Sequence, residues 1–186
     1  NELAAGITID GDLTITAGTL NTSGSNYALT VTGALKVTGT LTGNNSTIII
    51  GTDGVNPAIE AGALWVESTG SFTFGNGDVT SYGGITAKGT NTLTSSGTGD
   101  LYIAGRTNNG MLTSHSNKGI NITGDVIVSY GSNSNFDCRG GPEITCANFR
   151  FTTATTQTLW NNAAGETMTI TGNLALEHAS SELDTQ

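Results

Sequence analysis

The residues whose types and spacing could do chemistry are carboxylates. Asp78, Asp100 and Asp125 each follow a glycine, in "GNGDV", "GTGDL" and "ITGDV", and they recur about one structural repeat apart. Two acids about 5–10 Å apart, one with a raised pKa, are what glycoside hydrolysis needs. Carbonyls and an Asp in tight turns also suit a hard, oxygen-seeking cation. No Arg or Lys accompanies these acids at a repeated offset, and no Asp-Asp or His-bearing motif does so either. Turn-capping Asp is therefore the favoured reading, and Asp10 and Asp12 in "IDGDL" belong to the same class.

Other candidates are weaker. His115 in "TSHSN" and His178 in "LEHAS" are isolated, and surface positions are the default for such residues. No serine sits in G-x-S-x-G, so a nucleophile elbow is absent. The expectation is a protein that is not an enzyme, with no catalytic residues, no metal and no cofactor. Cys138 and Cys146, in "DCRGGPEITC", form an even pair at short spacing in a Gly- and Pro-bearing stretch. That favours a local disulfide and an oxidising, extracellular setting. Two buried free thiols are the alternative, and two thiolates alone leave zinc underliganded. Asn21, Asn44, Asn45 and Asn121 fit N-x-[ST] and are candidate glycan acceptors. Trp65, Phe72, Phe74, Tyr82, Tyr102, Tyr130, Phe136 and Trp160 could line a carbohydrate groove, although aromatic side chains more often fill a core. Thr-x-Thr on a flat face could bind ice, and "TIT", "TVT" and "TGT" occur, with drifting spacing.

The elements that must position these groups are written in a repeated phrase, Φ-x-Φ-x-G-x-Φ-x-Φ, where Φ is apolar and x is mostly Thr. It occurs at Ile7–Ile15, Leu29–Val37, Ile120–Val128 and Met168–Leu176. Partial copies are "TIIIG" at 47–51, "LWVESTGSFTFG" at 64–75, "LYIAG" at 101–105 and "FRF" at 149–151. Alternation with period two marks strands. The spacing between Ile7 and Leu29, which lead the first two copies, sets a loose period in the low twenties, and the other intervals read as multiples of it. Such periods belong to solenoids. The predicted fold is all-β, a parallel β-helix with coils of ~20–25 residues, with apolar side chains in a narrow lumen and Thr ladders outside. A β-sandwich is the alternative, but it carries no repeated phrase. A propeller would need more aromatic signatures than two Trp allow.

Composition agrees. Only 11% of residues are charged, only two are Pro, and 27 Gly must supply the turns. Thr makes up roughly a sixth of the chain, well above its usual share. The net charge of −9, from six Lys and Arg against fifteen Asp and Glu, disfavours nucleic acid as a partner. No stretch of ~18 apolar residues exists to span a membrane as a helix. "NELAAG" reads as a processed or excised N-terminus. The span 1–186 reads as a single solenoid domain that stops inside a repeat, and neither end reads as a polar cap. Two expectations follow: flanking repeats of a longer chain, or head-to-tail self-association.

The segments "GTLNTSGSNYALTVTGALKVTGTLTGNNSTIIIG" (18–51) and "MTITGNLALEHASSELDTQ" (168–186) resemble the repeat regions of large bacterial surface adhesins, the filamentous-haemagglutinin-like and autotransporter-type passenger domains. The resemblance implies a right-handed parallel β-helix at the cell surface, working in adhesion, spacing or fibre formation, with surface glycans as candidate partners. "FGNGDVTSYGG" (74–84) and "GTGDLYIAG" (97–105) are similar to the nonapeptides of calcium-binding β-rolls, which need Gly-x-Gly-x-Asp in tandem. Here the copies are not adjacent. Parallel β-helices also include polysaccharide-degrading enzymes, so carbohydrate binding or cleavage is the second functional expectation, and ice binding a minor third.

Overall fold

A strand of three residues in the form Φ-x-Φ turns two apolar side chains to one side. One such strand buries too little to persist, so copies must stack. The computed structural model describes residues 1–52, 64–89, 92–104, 112–114, 119–129, 134–137, 143–152, 156–160, 167–177 and 182–185. Among them every strand pairing is parallel, and the strands stack coil upon coil into a β-solenoid. Parallel pairing from rung to rung rules out the β-sandwich alternative, whose sheets are antiparallel.

The chain visits three faces in turn. The first face is an eight-stranded sheet of β1 (Ile7–Ile9), β4 (Leu29–Val31), β7 (Ile48–Ile50), β10 (Val79–Ser81), β13 (Leu101–Ile103), β16 (Val126–Val128), β19 (Phe149–Phe151) and β22 (Leu174–Leu176). The second face holds β2 (Leu13–Ile15), β5 (Leu35–Val37), β8 (Leu64–Val66), β11 (Ile85–Ala87) and β14 (Leu112–Ser114). In later coils its place in chain order passes to a separate three-stranded sheet, β17 (Ser134–Asp137), β20 (Thr156–Trp160) and β23 (Glu182–Thr185). The third face holds β3 (Thr19–Asn21), β6 (Thr40–Asn44), β9 (Ser71–Phe74), β12 (Leu93–Ser95), β15 (Ile120–Asn121), β18 (Glu143–Cys146) and β21 (Thr167–Ile170). Glu2 bridges Asn21 in parallel and adds a short rung beyond β3.

Register shows how the sequence repeat maps onto the coil. On the first face Ile7 stands opposite Leu29, Val79 opposite Leu101, and Val126 opposite Phe149, so a nearly constant length of chain separates these rungs. The step from Ile48 to Val79 is markedly longer and interrupts the rhythm. The repeated phrase itself marks two different corners. At Ile7–Ile15 and Leu29–Val37 it joins the first face to the second, whereas at Ile120–Val128 and Met168–Leu176 it joins the third face to the first. The interval from Leu29 to Ile120 therefore does not count whole coils. A turn between two short strands looks alike in sequence at either corner.

The lumen is largely apolar, with the buried hydroxyl residues Ser81 and Ser95 set among its aliphatic and aromatic ranks. Leu29, Ile48, Val79, Leu101, Val126 and Phe149 form one fully buried rank, and Val31, Ile50, Ile103 and Val128 run beside it. Each such side chain contributes ~1.5–3 kcal/mol by leaving water. Phe72 with Phe74 and Phe149 with Phe151 fill the lumen as aromatic pairs, their ring centroids 5.8 and 5.1 Å apart. At one corner the coils approach so closely that only glycine fits. A Cβ on Gly99 would collide with the carbonyl oxygen of Gly77, and one on Gly124 with that of Gly99.

Candidate functional site

The Gly-Asp corners are brought into one line. Asp78, Asp100 and Asp125 stand just before β10, β13 and β16, on consecutive rungs. Asp78 Oδ1 accepts the Asp100 amide at 3.0 Å, and Asp100 Oδ1 accepts the Asp125 amide at 2.8 Å. Asn148 continues the line. Its Nδ2 donates to Asp125 Oδ1 at 2.6 Å and its Oδ1 accepts the Asn173 amide at 2.8 Å. Burial pushes the Asp100 carboxyl above its ordinary value, and the charges of Asp125 and Asp78 add to the rise. Tyr102, the next outward residue, is raised for the same reasons, burial first and then Asp78 and Asp100. Arg150 approaches Asp125 at 3.6 Å and holds Glu177 through two hydrogen bonds of 2.7 and 3.0 Å.

This arrangement explains the Gly-Asp spelling. The glycine admits the neighbouring carbonyl, and the carboxylate satisfies an amide of the next coil. Its chemistry is that of a rail that fixes register, because Asp78 and Asp100 are turned along the stack onto backbone N–H groups and Asp125 onto the Asn148 side-chain amide. Asp10 and Asp12 behave similarly, accepting the Thr32 hydroxyl at 3.1 Å and the Ala34 amide at 2.7 Å. Among the described residues no group of three or more His, Cys, Asp or Glu is placed to hold a metal ion.

A second rail uses asparagine. Asn26 Oδ1 accepts the Asn45 amide, Asn45 Oδ1 the Asn76 amide, and Asn76 Oδ1 the Thr98 amide, at 3.1, 2.8 and 3.0 Å. Two candidate glycan acceptors are tied to each other, since Asn44 Nδ2 donates to Asn21 Oδ1 at 2.6 Å and to the Ser23 carbonyl at 3.0 Å. Asn44 has a φ of +45° and lies where the register between β6 and β9 shifts. Asn45 and Asn121 are exposed.

The cysteines correct an expectation. Cys146 is a free thiol, buried in the lumen beside Ile144, and no disulfide is seen among the described residues. Its physical reason is strand alternation, which turns Ile144 and Cys146 inward together. Burial and then the charge of Asp125 push the thiol up to about 12, so it stays protonated at neutral pH. Cys138, His115, His178 and Tyr130 lie outside the described residues, as do the side chains of Phe136 and Trp160. Phe72 and Phe74 are core, whereas Trp65, Tyr82 and Tyr102 are half-buried on the outside.

Trp65 is the centre of a cluster that spacing did not reveal. On the second face the outward rank runs Thr14, Lys36, Trp65, Thr86 on successive rungs. Lys88 Nζ lies 4.8 Å from the Trp65 ring centroid, a cation–π contact. Glu67 takes Lys36 and Lys88, both at 3.3 Å. Burial works against the Glu67 carboxylate, but the hydrogen bonds from Lys36 and Lys88 hold it below its ordinary range. Toward β2 and β5 an open cavity of ≈ 230 Å³ is lined by Asp12, Thr14, Ala34, Lys36 and Trp65.

The third face carries hydroxyls in register. Thr40 stands opposite Ser71, and Thr42, Thr73 and Thr94 form the next rank, with the Thr73 and Thr94 hydroxyls 3.0 Å apart. The ranks are interrupted, since Asn121 stands between Thr94 and Thr145 in one and Glu143 stands opposite Thr167 in the other. No helix among the described residues is long and apolar enough to cross a membrane. No protein-family model, no curated protein and no solved structure matches this chain.

Proposed function

We propose that this chain is a structural or adhesive extracellular solenoid, a subunit or segment of a cell-surface fibre, and that it catalyses no reaction. The observation that supports the reading is the contrast along the lumen ranks. Interior members are fully buried, while Ile7 at one end of the first face is 42% exposed and Leu174 and Leu176 at the other are 49% and 42% exposed. A lumen-phase side chain is dry only where a rung covers it on both sides, so the rungs of β1 and β22 carry apolar surface that a further coil of the same kind, flanking repeat or second copy, would cover. The partner is a second copy of this chain, head to tail, or flanking repeats joined covalently. The carboxylate rail supports a non-catalytic role, because Asp78 and Asp100 are committed to backbone amides and Asp125 to Asn148 and Arg150. The ice-binding alternative stands behind this one, because the hydroxyl ranks of the third face break at Asn121 and Glu143.

Electron microscopy and light scattering on the purified chain across a concentration series test the fibre reading. Elongated particles that lengthen with concentration, and that shorten when Leu174 and Leu176 are both changed to Asp, are the expected result. Discrete monomers at the highest concentration, unaffected by that double change, would overturn head-to-tail stacking.

A further inference from the structure

We propose that the cavity beside Trp65 binds a neutral sugar ring, the terminal or internal pyranose unit of a glycan. The inference deepens the adhesive half of the proposed function, and it stands if the chain forms no fibre.

Trp65 is unusual among the outward positions. Its rank holds Lys36 and the buried Thr86 on either side and Thr14 one rung further, so it is a half-buried aromatic ring among polar side chains. Lys88 belongs to the rung of β11, on one side of β8, and its ammonium lies over the indole. The cavity lies on the other side, toward β5 and β2. The indole is thus contacted by a cation from the β11 rung, and it lines an open cavity together with Asp12, Thr14 and Lys36.

That combination selects the chemistry of the ligand. A pyranose has a C–H-rich face that lies on an aromatic plate and a rim of hydroxyls that donate and accept hydrogen bonds. The indole supplies the plate. Around it, the Asp12 carboxylate accepts, the Lys36 ammonium donates and the Thr14 hydroxyl does both. The volume of ≈ 230 Å³ is below the range of roughly 300–1,000 Å³ typical of drug-sized ligands, so it suits one ring. Charge argues for a neutral sugar. Locally Lys36 and Lys88 balance Glu67 and Asp12, and the chain as a whole carries −9, which repels uronic-acid and sulfated polymers.

The test is ligand-observed NMR and calorimetry with the intact chain and a panel of neutral oligosaccharides, glucans, mannans, galactans and N-acetylated sugars, up to about 10 mM. Saturable binding of at least one neutral class is expected, weakened about tenfold or more by Trp65→Ala with circular dichroism and thermal midpoint unchanged. Thr14→Arg, at an exposed strand position, is expected to fill the cavity and abolish binding, and it serves where Trp65→Ala does not fold. Absence of saturable binding by every neutral sugar, binding by folded Thr14→Arg equal to the parent, or binding only to acidic polysaccharides would each overturn the inference. Fibre formation is read separately by microscopy, so failure of the two ideas can be told apart.

Discussion

Leu101 and Leu174 are the same residue type in the same rank of the same face, yet one is fully buried and the other 49% exposed. Leu101 has Val79 on one side and Val126 on the other, whereas β22 is the last strand of its sheet and Leu174 has only Phe149. Burial in this fold is therefore conferred by the neighbouring rung and not by the strand that carries the residue. A solenoid gains a dry interior one interface at a time, so its two ends are always its wettest and weakest coils.

The sharpest way to break that comparison is to truncate both leucines. Leu101→Ala should cost about 2–5 kcal/mol in a urea unfolding series, because it removes apolar contact and leaves a cavity between two fixed rungs. Leu174→Ala should cost about 1 kcal/mol or less in dilute protein, since half of that side chain already meets water. Equal losses would show that the end coil is covered in solution. If stacking occurs, the Leu174→Ala penalty should grow with protein concentration and the Leu101→Ala penalty should not.

A smaller effect separates the two parts of the corner rail, carboxylates at Asp78, Asp100 and Asp125 and the side-chain amide of Asn148. Asp100→Ala removes the acceptor of the Asp125 amide and should cost about 1.5–3 kcal/mol. Asp100→Asn keeps an acceptor and makes the acidic part like the amide part. The folded-state pKa of Asp100 is raised above its ordinary 3.8, by burial first and then by Asp125 and Asp78. A raised value means that the folded chain binds the proton more tightly than the unfolded chain. The resulting stability is present below pH 3.8 and is lost as pH rises through the folded value. Asp100→Asn escapes that loss, so its stability relative to the parent should climb just above pH 3.8 and then level off. A flat difference from pH 3 to 7, read by urea midpoints, would show that the carboxylates do not strain one another.

Much of this was readable from residues alone. Alternation located the lumen, and the interval from Ile7 to Leu29 is one rung. The spacing of Asp78, Asp100 and Asp125 placed them on one line, because short steps of nearly constant length keep corners aligned. Three things were not readable. The phrase Φ-x-Φ-x-G-x-Φ-x-Φ cannot say which corner it turns, since strands on all faces need the same alternation. Cys146 looked like half of a loop disulfide, although its parity with Ile144 is that of a lumen residue. The Trp65 cluster depends on the step between Leu35 and Leu64, which is longer than the steps from Leu13 to Leu35 and from Leu64 to Ile85 on the same face. A step of irregular length leaves Lys36 and Trp65 unrelated in sequence and adjacent in space.

The smallest expected effect contrasts the lumen with the outer surface. Glu67 joins Lys36 and Lys88 at 3.3 Å each, yet the lysine side chains are 50% and 34% exposed, so solvent screens both pairs. Glu67→Gln should therefore cost only about 0–1 kcal/mol at low ionic strength, and less in high salt. The pH dependence runs opposite to that of Asp100. Glu67 is held below its ordinary value, against the effect of burial, by hydrogen bonds from Lys36 and Lys88. Its contribution is present above the unfolded pKa of 4.5 and is lost as pH falls through the folded value. The parent should thus lose its small advantage over Glu67→Gln on acidification below pH 4.5, whereas the proton taken up by Asp100 on acidification favours the fold. Two carboxylates on neighbouring faces of one coil stack then report opposite slopes. A desolvated rail and a solvated surface pair, built into one stack, produce that pattern. A loss above about 2 kcal/mol for Glu67→Gln would mean that this surface cluster is covered rather than open, and the cavity beside Trp65 with it.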